Sequence, residues 1–317
     1  MGGPILFHAP GFERLADEIA ENCPTLQRGI FETDRFSNGE LYVTLATSVE
    51  RAACIVLGTI APPAERCLTT LLLTNTLHRY GAKSVELVLP YFAYSRHDKG
   101  GGGRSIAFPL IKRLLGVSGV ARIVTIDLHA PQVALGDGPP IVSLDPSHLF
   151  ATALAAFAPD TASFVAPDRG ALRRCDAVRR ATGNEKPLIE GQKHRDDTGV
   201  HTIFRGAPNT RCIIVDDILD TGWTLIEAVE QLRRMGAERF VVCVSHGLFT
   251  AHDWEDLWAK GVERVYTLDT TGELDQPTDE RITRLSCGAL LAQGVGSLMG
   301  ESAARTDSTP DFREILS

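Results

Sequence analysis

Two stretches of this chain follow one plan. Residues 53–92 read ACIVLGTIAPPAERCLTTLLLTNTLHRYGAKSVELVLPYF, and residues 211–249 read RCIIVDDILDTGWTLIEAVEQLRRMGAERFVVCVSHGLF. Each holds a short apolar run, a loop, a helix-period stretch, an Arg-x-Gly-Ala and a second apolar run. Arg79-Tyr-Gly-Ala82 matches Arg234-Met-Gly-Ala237, and the first copy carries about three extra residues in its loop. The runs at 54–57, 85–89, 212–215 and 240–244 are continuous and rich in Val and Ile, the pattern of strands buried on both faces of a parallel sheet. Between the second pair, Leu225, Ala228, Val229 and Leu232 recur at helical spacing, and Gly81 and Gly236 are placed to end the helices. Strand, loop, helix and strand in that order make a right-handed βαβ crossover. Two more strands are expected at Arg122-IVTIDL and Ser163-FVAP. The fold class is therefore α/β: two duplicated, doubly wound parallel-sheet domains, expected at 1–145 and 146–302, with a polar tail at 303–317.

The whole chain of 317 residues is long enough for two such cores. Its 32 basic against 40 acidic residues give a net charge of −8, which excludes the broad basic surface of a nucleic-acid binder. No apolar run reaches membrane-spanning length, and the first twenty residues lack the basic start of a signal peptide. The expectation is a cytoplasmic protein with no nucleic-acid or membrane partner. The seven cysteines are widely spaced, with no C-x-x-C pair, and read as small buried hydrophobes.

Ligands of doubly wound folds bind beyond the carboxyl ends of the strands, and the richest strand end follows 212–215. There, Asp216 and Asp217 can accept hydrogen bonds from vicinal sugar hydroxyls, directly or through a metal. Asp220, Thr221, Gly222, Trp223 and Thr224 then form a turn at a helix start, where backbone N–H groups and two hydroxyls can surround a phosphate. An acidic helix cap is the plainer reading of such residues. The matching loop of the first copy, GTIAPPAE, has no paired acids at its start.

Other strand ends are polar as well: Asp127-Leu-His129, Asp168-Arg169-Gly170 and the segment Tyr91 to Lys99. Together they would put His, Asp and Arg at one edge, where Mg²⁺ and a polyphosphate could sit. Asp168 alone could equally be a turn or cap residue. Lys193 and Arg195, two apart in an extended segment, would project together, or could belong to a solvated charged hairpin. The four glycines at 100–103 form a linker or a phosphate-covering lid, and no Gly-Lys-Ser/Thr follows that would make a Walker A loop.

Taken together, these residues resemble the ribose-phosphate pyrophosphokinase (phosphoribosyl pyrophosphate synthetase) family, from about Phe36 to Met299. FSNGE at 36–40 resembles the family's Phe-Ser-Asp-Gly-Glu, PYFAYSRHDK at 90–99 its Pro-Tyr-Phe-x-Tyr-x-Arg-Gln-Asp, and DLH at 127–129 its Asp-Leu-His. Ala-Pro-Asp168 is similar to Ser-Pro-Asp, Lys193-x-Arg195 to the catalytic Lys-x-Arg, and VDDILDT at 215–221 to Val-Asp-Asp-x-x-Asp-Thr. The resemblance implies type I phosphoribosyltransferase-like domains and transfer of the pyrophosphoryl group of Mg-ATP to the 1-hydroxyl of ribose 5-phosphate, releasing AMP. By that resemblance Lys193 and Arg195 are catalytic, and Phe36, Asn38, Glu40, Arg96, His97, Asp98 and Lys99 bind the nucleotide. Asp216, Asp217 and the turn 220–224 bind ribose 5-phosphate, while His129 and Asp168 hold the metal. Phe36, Asn38 and Glu40 would act across a subunit interface, implying a homo-oligomer, a dimer or hexamer.

The chain departs from the family pattern in four places. Asn38 stands for Asp and His97 for Gln, which opens the choice of nucleotide donor. Glycines replace a more basic lid. Gly222-Trp223 stands for Ala-Gly, a form closer to the loop of type I phosphoribosyltransferases. A phosphoribosyltransferase and a non-catalytic synthetase-like subunit are the alternatives, although the complete reacting cluster speaks against the latter.

Overall fold

The computed structural model describes residues 3–97, 102–130, 134–196, 199–273 and 276–298, with the backbone alone for 193–196 and 199–201. The elements of the first half are β1 (Ile5–His8), α1 (Glu13–Asn22), β2 (Gln27–Arg28), the hairpin β3 (Phe31–Arg35) and β4 (Leu41–Leu45), β5 (Ala53–Leu57), α2 (Ala64–Arg79), β6 (Ser84–Leu89), α3 (Ala107–Val117), β7 (Val120–Ile126) and β8 (Ile141–Leu144). The chain continues through α4 (Ser147–Leu154), β9 (Ser163–Ala166), α5 (Leu172–Ala181), β10 (Ile189–Asp196), β11 (Gly199–Arg205), β12 (Arg211–Leu219), α6 (Trp223–Arg234), β13 (Arg239–Gly247), α7 (Asp256–Ala259), β14 (Val262–Leu268), β15 (Ile282–Leu285) and α8 (Gly288–Leu298).

All six expected strands form, and they lie in two sheets. The first sheet runs β2-β1-β5-β6-β7-β8, with every pair parallel. The second runs β11-β10-β9-β12-β13-β14-β15 and is parallel except at the β10–β11 edge hairpin. Both copies of the repeat are βαβ crossovers at the middle of their sheets. Six residues (58–63) join β5 to α2 and three (220–222) join β12 to α6, which is the expected length difference. Gly81 and Gly236 follow the helices at φ +87° and +99°, a left-handed turn that a side chain would strain.

Hydrophobic packing makes three layers of core. Phe7, Cys54, Val56, Leu73, Leu77 and Leu87 fill the space between the first sheet and α2–α3. Ile214, Val242, Leu225, Val229 and Leu232 fill that between the second sheet and α6. The middle core is common to both halves: Leu6, Ile55 and Val124 of one sheet and Phe164, Ile213 and Val241 of the other meet over Leu15, Phe150, Cys175 and Leu291. The expected division near 145 falls between β8 and α4. Yet α8, last in sequence, packs on α1 and on the first sheet, where Gly294 lets it approach Val124 and Leu144. This shared layer sets the two halves side by side with their strand ends at one edge. Six of the seven cysteines are buried, as small hydrophobes are expected to be, and Cys67 is half-buried.

Candidate active site

The apolar run at 212–215 is only the first part of β12. The strand continues to Leu219, with Asp216 opposite Val244 and Ile218 opposite His246, so the two acids sit in its last turn of pleat instead of a loop. They can do so because a guanidinium and an imidazole reach them from outside the strand. Arg174 of α5 lies 4.0 Å from Asp216 and 3.8 Å from Asp217, and His129 Nδ1 lies 2.6 Å from Asp217 Oδ2. Burial alone would raise both carboxyls. For Asp217 the hydrogen bond from His129 and the charge of Arg174 outweigh it, holding that carboxyl far below the ordinary range. For Asp216 burial and the neighbouring Asp217 charge dominate, and its carboxyl is pushed well up.

Beyond β12, Gly222 turns the chain at φ +92° and α6 begins at Trp223. A Cβ at Gly222 would lie 2.8 Å from the Trp254 Cα, so only glycine fits this turn. No side chain caps α6, and Gly222 O already accepts from Ile226 N. The N–H groups of the first turn are thus available to an anion. Asp220 receives Arg96 Nη2 at 2.7 Å and the Thr250 hydroxyl. Burial would raise the Asp220 carboxyl, but these two bonds outweigh it and hold it below the ordinary range.

One cleft of about 270 Å³ is lined by Arg96, His129, Asp168, Arg174, Asp216, Asp217, Asp220, Thr221, Gly222, Trp223 and Thr224, among others. It gathers strand ends from both sheets. Asp168 caps a short turn through Oδ1, which accepts from Gly170 N at 2.8 Å and Ala171 N at 3.2 Å, so the cap reading and the cleft position both hold. His129 fits a metal ligand: since Nδ1 must donate to the Asp217 carboxylate, a neutral ring presents the Nε2 lone pair. Among the described residues no cage of three or more His, Cys, Asp or Glu side chains is formed. The carboxylates of the cleft are the oxygen donors that suit Mg²⁺, which keeps waters and takes one or two protein ligands plus phosphate oxygens.

Other expected residues lie elsewhere. Phe36, Asn38 and Glu40 occupy the turn of the β3–β4 hairpin, where Glu40 N donates to Asn38 Oδ1 at 3.1 Å and Phe36 stacks 4.6 Å from Tyr42. They do not line the cleft. His97 is exposed, with its ring edge-on to Tyr94 at 6.0 Å. Asp98, Lys99, Gly100 and Gly101 are outside the described residues. Lys193 and Arg195 lie in β10, opposite Thr202 and Val200, in the expected extended hairpin; their side chains are outside the described part of the molecule. Sequence reading passed over Arg174 and, although it noted Asp127 at a polar strand end, gave that carboxylate no role. The Arg-Arg at 173–174 looks like an ordinary helix surface, and only the turn of α5 that buries Arg174 separates it from its neighbour.

The comparisons with known proteins agree with this architecture. Residues 5–119 match the family model for the N-terminal domain of ribose phosphate pyrophosphokinase, and residues 151–272 that for the phosphoribosyl transferase domain. Ribose-phosphate pyrophosphokinase of Streptomyces avermitilis is 31% identical over 310 residues, covering 92% of this chain and 91% of that protein. The Thermotoga maritima protein of the same name is 28% identical over 287 residues, covering 89% and 90%. The crystal structure of phosphoribosylpyrophosphate synthetase from Mycobacterium smegmatis superposes with a TM-score of 0.84 at 27% identity, covering 95% of this chain and all of that one. This chain, with its two fused α/β halves and shared cleft, belongs to the ribose-phosphate pyrophosphokinase family and is an enzyme of that kind.

Proposed function

We propose that the enzyme transfers the pyrophosphoryl group of Mg-ATP to the 1-hydroxyl of ribose 5-phosphate, giving phosphoribosyl pyrophosphate and AMP. The observation that carries this reading is the single cleft in which a free helix start, paired acids, His129, Asp168 and Arg96 converge. The N–H groups at the start of α6, with the Thr221 and Thr224 hydroxyls, would hold the 5-phosphate. Asp216 and Asp217 would accept from the ribose hydroxyls and fix the sugar ring. Arg96, released from Asp220, would neutralise the triphosphate. His129 and Asp168 would hold Mg²⁺, which when bound supplies charge neutralisation on the phosphate oxygens. Lys193 and Arg195 would stabilise the charge that develops on the transferring group. Catalysis of this kind is mostly alignment.

The hairpin turn with Phe36, Asn38 and Glu40, lying off the cleft of its own subunit, supports a nucleotide contact made on a second copy and hence a homo-oligomer. No helix among the described residues is long and apolar enough to cross a membrane. The buried thiols suit a reducing compartment such as the cytoplasm.

The test is to incubate the protein with ribose 5-phosphate, Mg²⁺ and ATP, GTP, CTP or UTP in turn. Nucleoside monophosphate formed together with pyrophosphorylated sugar is expected. Its absence with every donor, alongside nucleotide formation from a free base, would overturn the reading. Lys193→Ala is expected to lower kcat with little change in KM, and an unchanged kcat would remove it from the reacting set.

A further inference from the structure

Arg174 is the one cation among the described residues that reaches both ribose-facing acids, yet it spends its hydrogen bonds elsewhere. Its side chain is only 11% exposed. Nε donates to Asp127 at 3.1 Å (Oδ2) and 3.3 Å (Oδ1), and Nη1 to Gly170 O at 3.0 Å; Nη2 points to His129 O at 3.5 Å. Asp127 is held from the other side by Ser245 Oγ at 2.5 Å. That residue has φ +39°, an unfavourable backbone for a non-glycine, and it forms the turn that carries the chain from β7 to His129. The guanidinium therefore clamps a strained turn of the first half while bonding Gly170 O, in the turn beyond β9, and lying 3.8–4.0 Å from the acids of β12 in the second.

We infer that Arg174 is a positioning residue for the pentose. At 3.8–4.0 Å its Nη atoms set a positive charge beside Asp216 and Asp217 without themselves hydrogen-bonding them. Although Asp216 Oδ1 accepts from Asp217 N and Asp217 Oδ2 from His129, each carboxyl keeps a second oxygen for a substrate hydroxyl. At the same time the fork fixes the His129 turn against Asp217. Lysine could supply the charge but not the three-way fork. The inference rests on the reading of Asp216 and Asp217 as the diol acceptors.

The decisive variant is Arg174→Lys. A cavity of about 60 Å³ lined by Asp127, Arg174 and Ser245 adjoins the side chain, so the shorter residue can be accommodated with water. Titration calorimetry with ribose 5-phosphate alone separates the roles. A positioning role predicts a dissociation constant weaker by about tenfold or more at unchanged stoichiometry. A purely structural ion pair would lower the stoichiometry and the melting point and leave the constant alone, and that result overturns the inference. If Arg174→Lys does not fold, Asp127→Asn, which keeps the shape but weakens the clamp, carries the same test. It is expected to weaken binding by about threefold, and an unchanged constant again overturns the inference. Failure of the native enzyme to bind ribose 5-phosphate would instead overturn the pentose reading itself, and the inference with it.

Discussion

The two copies of the βαβ unit end their first strands in opposite ways. After β5 the loop 58–63 turns inward. Ile60 is fully buried in the outer core, Thr59 O accepts from Thr70 Oγ1 at 2.8 Å, and Arg66 Nη1 folds back onto Pro62 O at 2.9 Å. After β12 the loop 220–222 stays polar and open, with Asp220 tied only to Arg96 and Thr250 across the cleft. Both helices start without a side-chain cap, so a helix start is not in itself a binding site. What makes one is a short loop without an apolar plug, beside acids whose charge another element compensates. The scaffold recurs in both copies, and loop length with loop polarity sets their strand ends apart.

That difference can be broken most severely at the acids. Asp217→Asn weakens the His129 pairing and removes one of the proposed diol acceptors. It is expected to lower kcat/KM for ribose 5-phosphate by about 10- to 100-fold, the scale of a lost charged hydrogen bond. Thr59→Val at the corresponding loop of the first copy should leave initial rates within about twofold, because that loop does not line the cleft. Equal losses in the two variants would show that both copies contribute to the site.

Stability offers the second contrast. Gly222→Val places a side chain at φ +92° against the Trp254 backbone and should cost about 1–3 kcal/mol in thermal unfolding, with weaker binding of ribose 5-phosphate. At Gly58 an added Cβ would lie 3.3 Å from the Thr70 hydroxyl and in ordinary contact with Thr70 Cγ2 and Leu87 Cδ1, and Gly58→Ala should cost clearly less. A Gly222 variant as stable as the native chain would mean that the turn can reshape, and that its form is not what excludes a plug.

Much of this contrast could be read from the sequence because it is written in local terms. Continuous apolar runs, helical spacing and Gly at helix ends are decided within a few residues, and each expected strand formed. The cleft residues on strand ends were legible for the same reason, since the fold brings all such ends to one edge. What escaped depends on distant partners. The acids of β12 remain in a strand because Arg174 and His129 reach them from α5 and from beyond β7. The α8 helix returns to the first sheet because the shared core has apolar positions open to it there, which no property of its own segment reveals. Arg173 and Arg174 are identical in type, and only packing distinguishes them.

Asp220 has no counterpart in the first copy, so its titration sharpens the comparison. Its carboxyl is held below the ordinary range in the folded enzyme, and the stabilisation is therefore full above the unfolded value of ~3.9. As pH falls through the lower folded value, that contribution is lost. Asp220→Asn should lower the melting midpoint slightly at pH 6, and the two proteins should converge as pH falls from the unfolded value through the lower folded one. A constant difference across that range would show that packing, not the Arg96 pair, accounts for the effect.

The smallest expected effect concerns Trp223, on the open loop's rim. Its indole is 64% exposed, whereas Trp254 is buried among Phe249 and Trp258 and Trp258 is half-buried. A large apolar ring in water on the rim of the cleft gains contact only when a ligand arrives. Ribose 5-phosphate should therefore shift the protein's exposed tryptophan emission, and Trp223→Gly should abolish that shift. The same variant should raise KM for ribose 5-phosphate by about two- to threefold, near 0.5 kcal/mol, because the ring covers the site without bonding it. If saturating ribose 5-phosphate leaves the native spectrum unchanged, the indole lies outside the bound sugar's reach. Specificity would then rest on the hydrogen-bonding groups alone: Asp216, Asp217 and the α6 start select a diol and a phosphate, and no apolar contact contributes to the choice between pentoses.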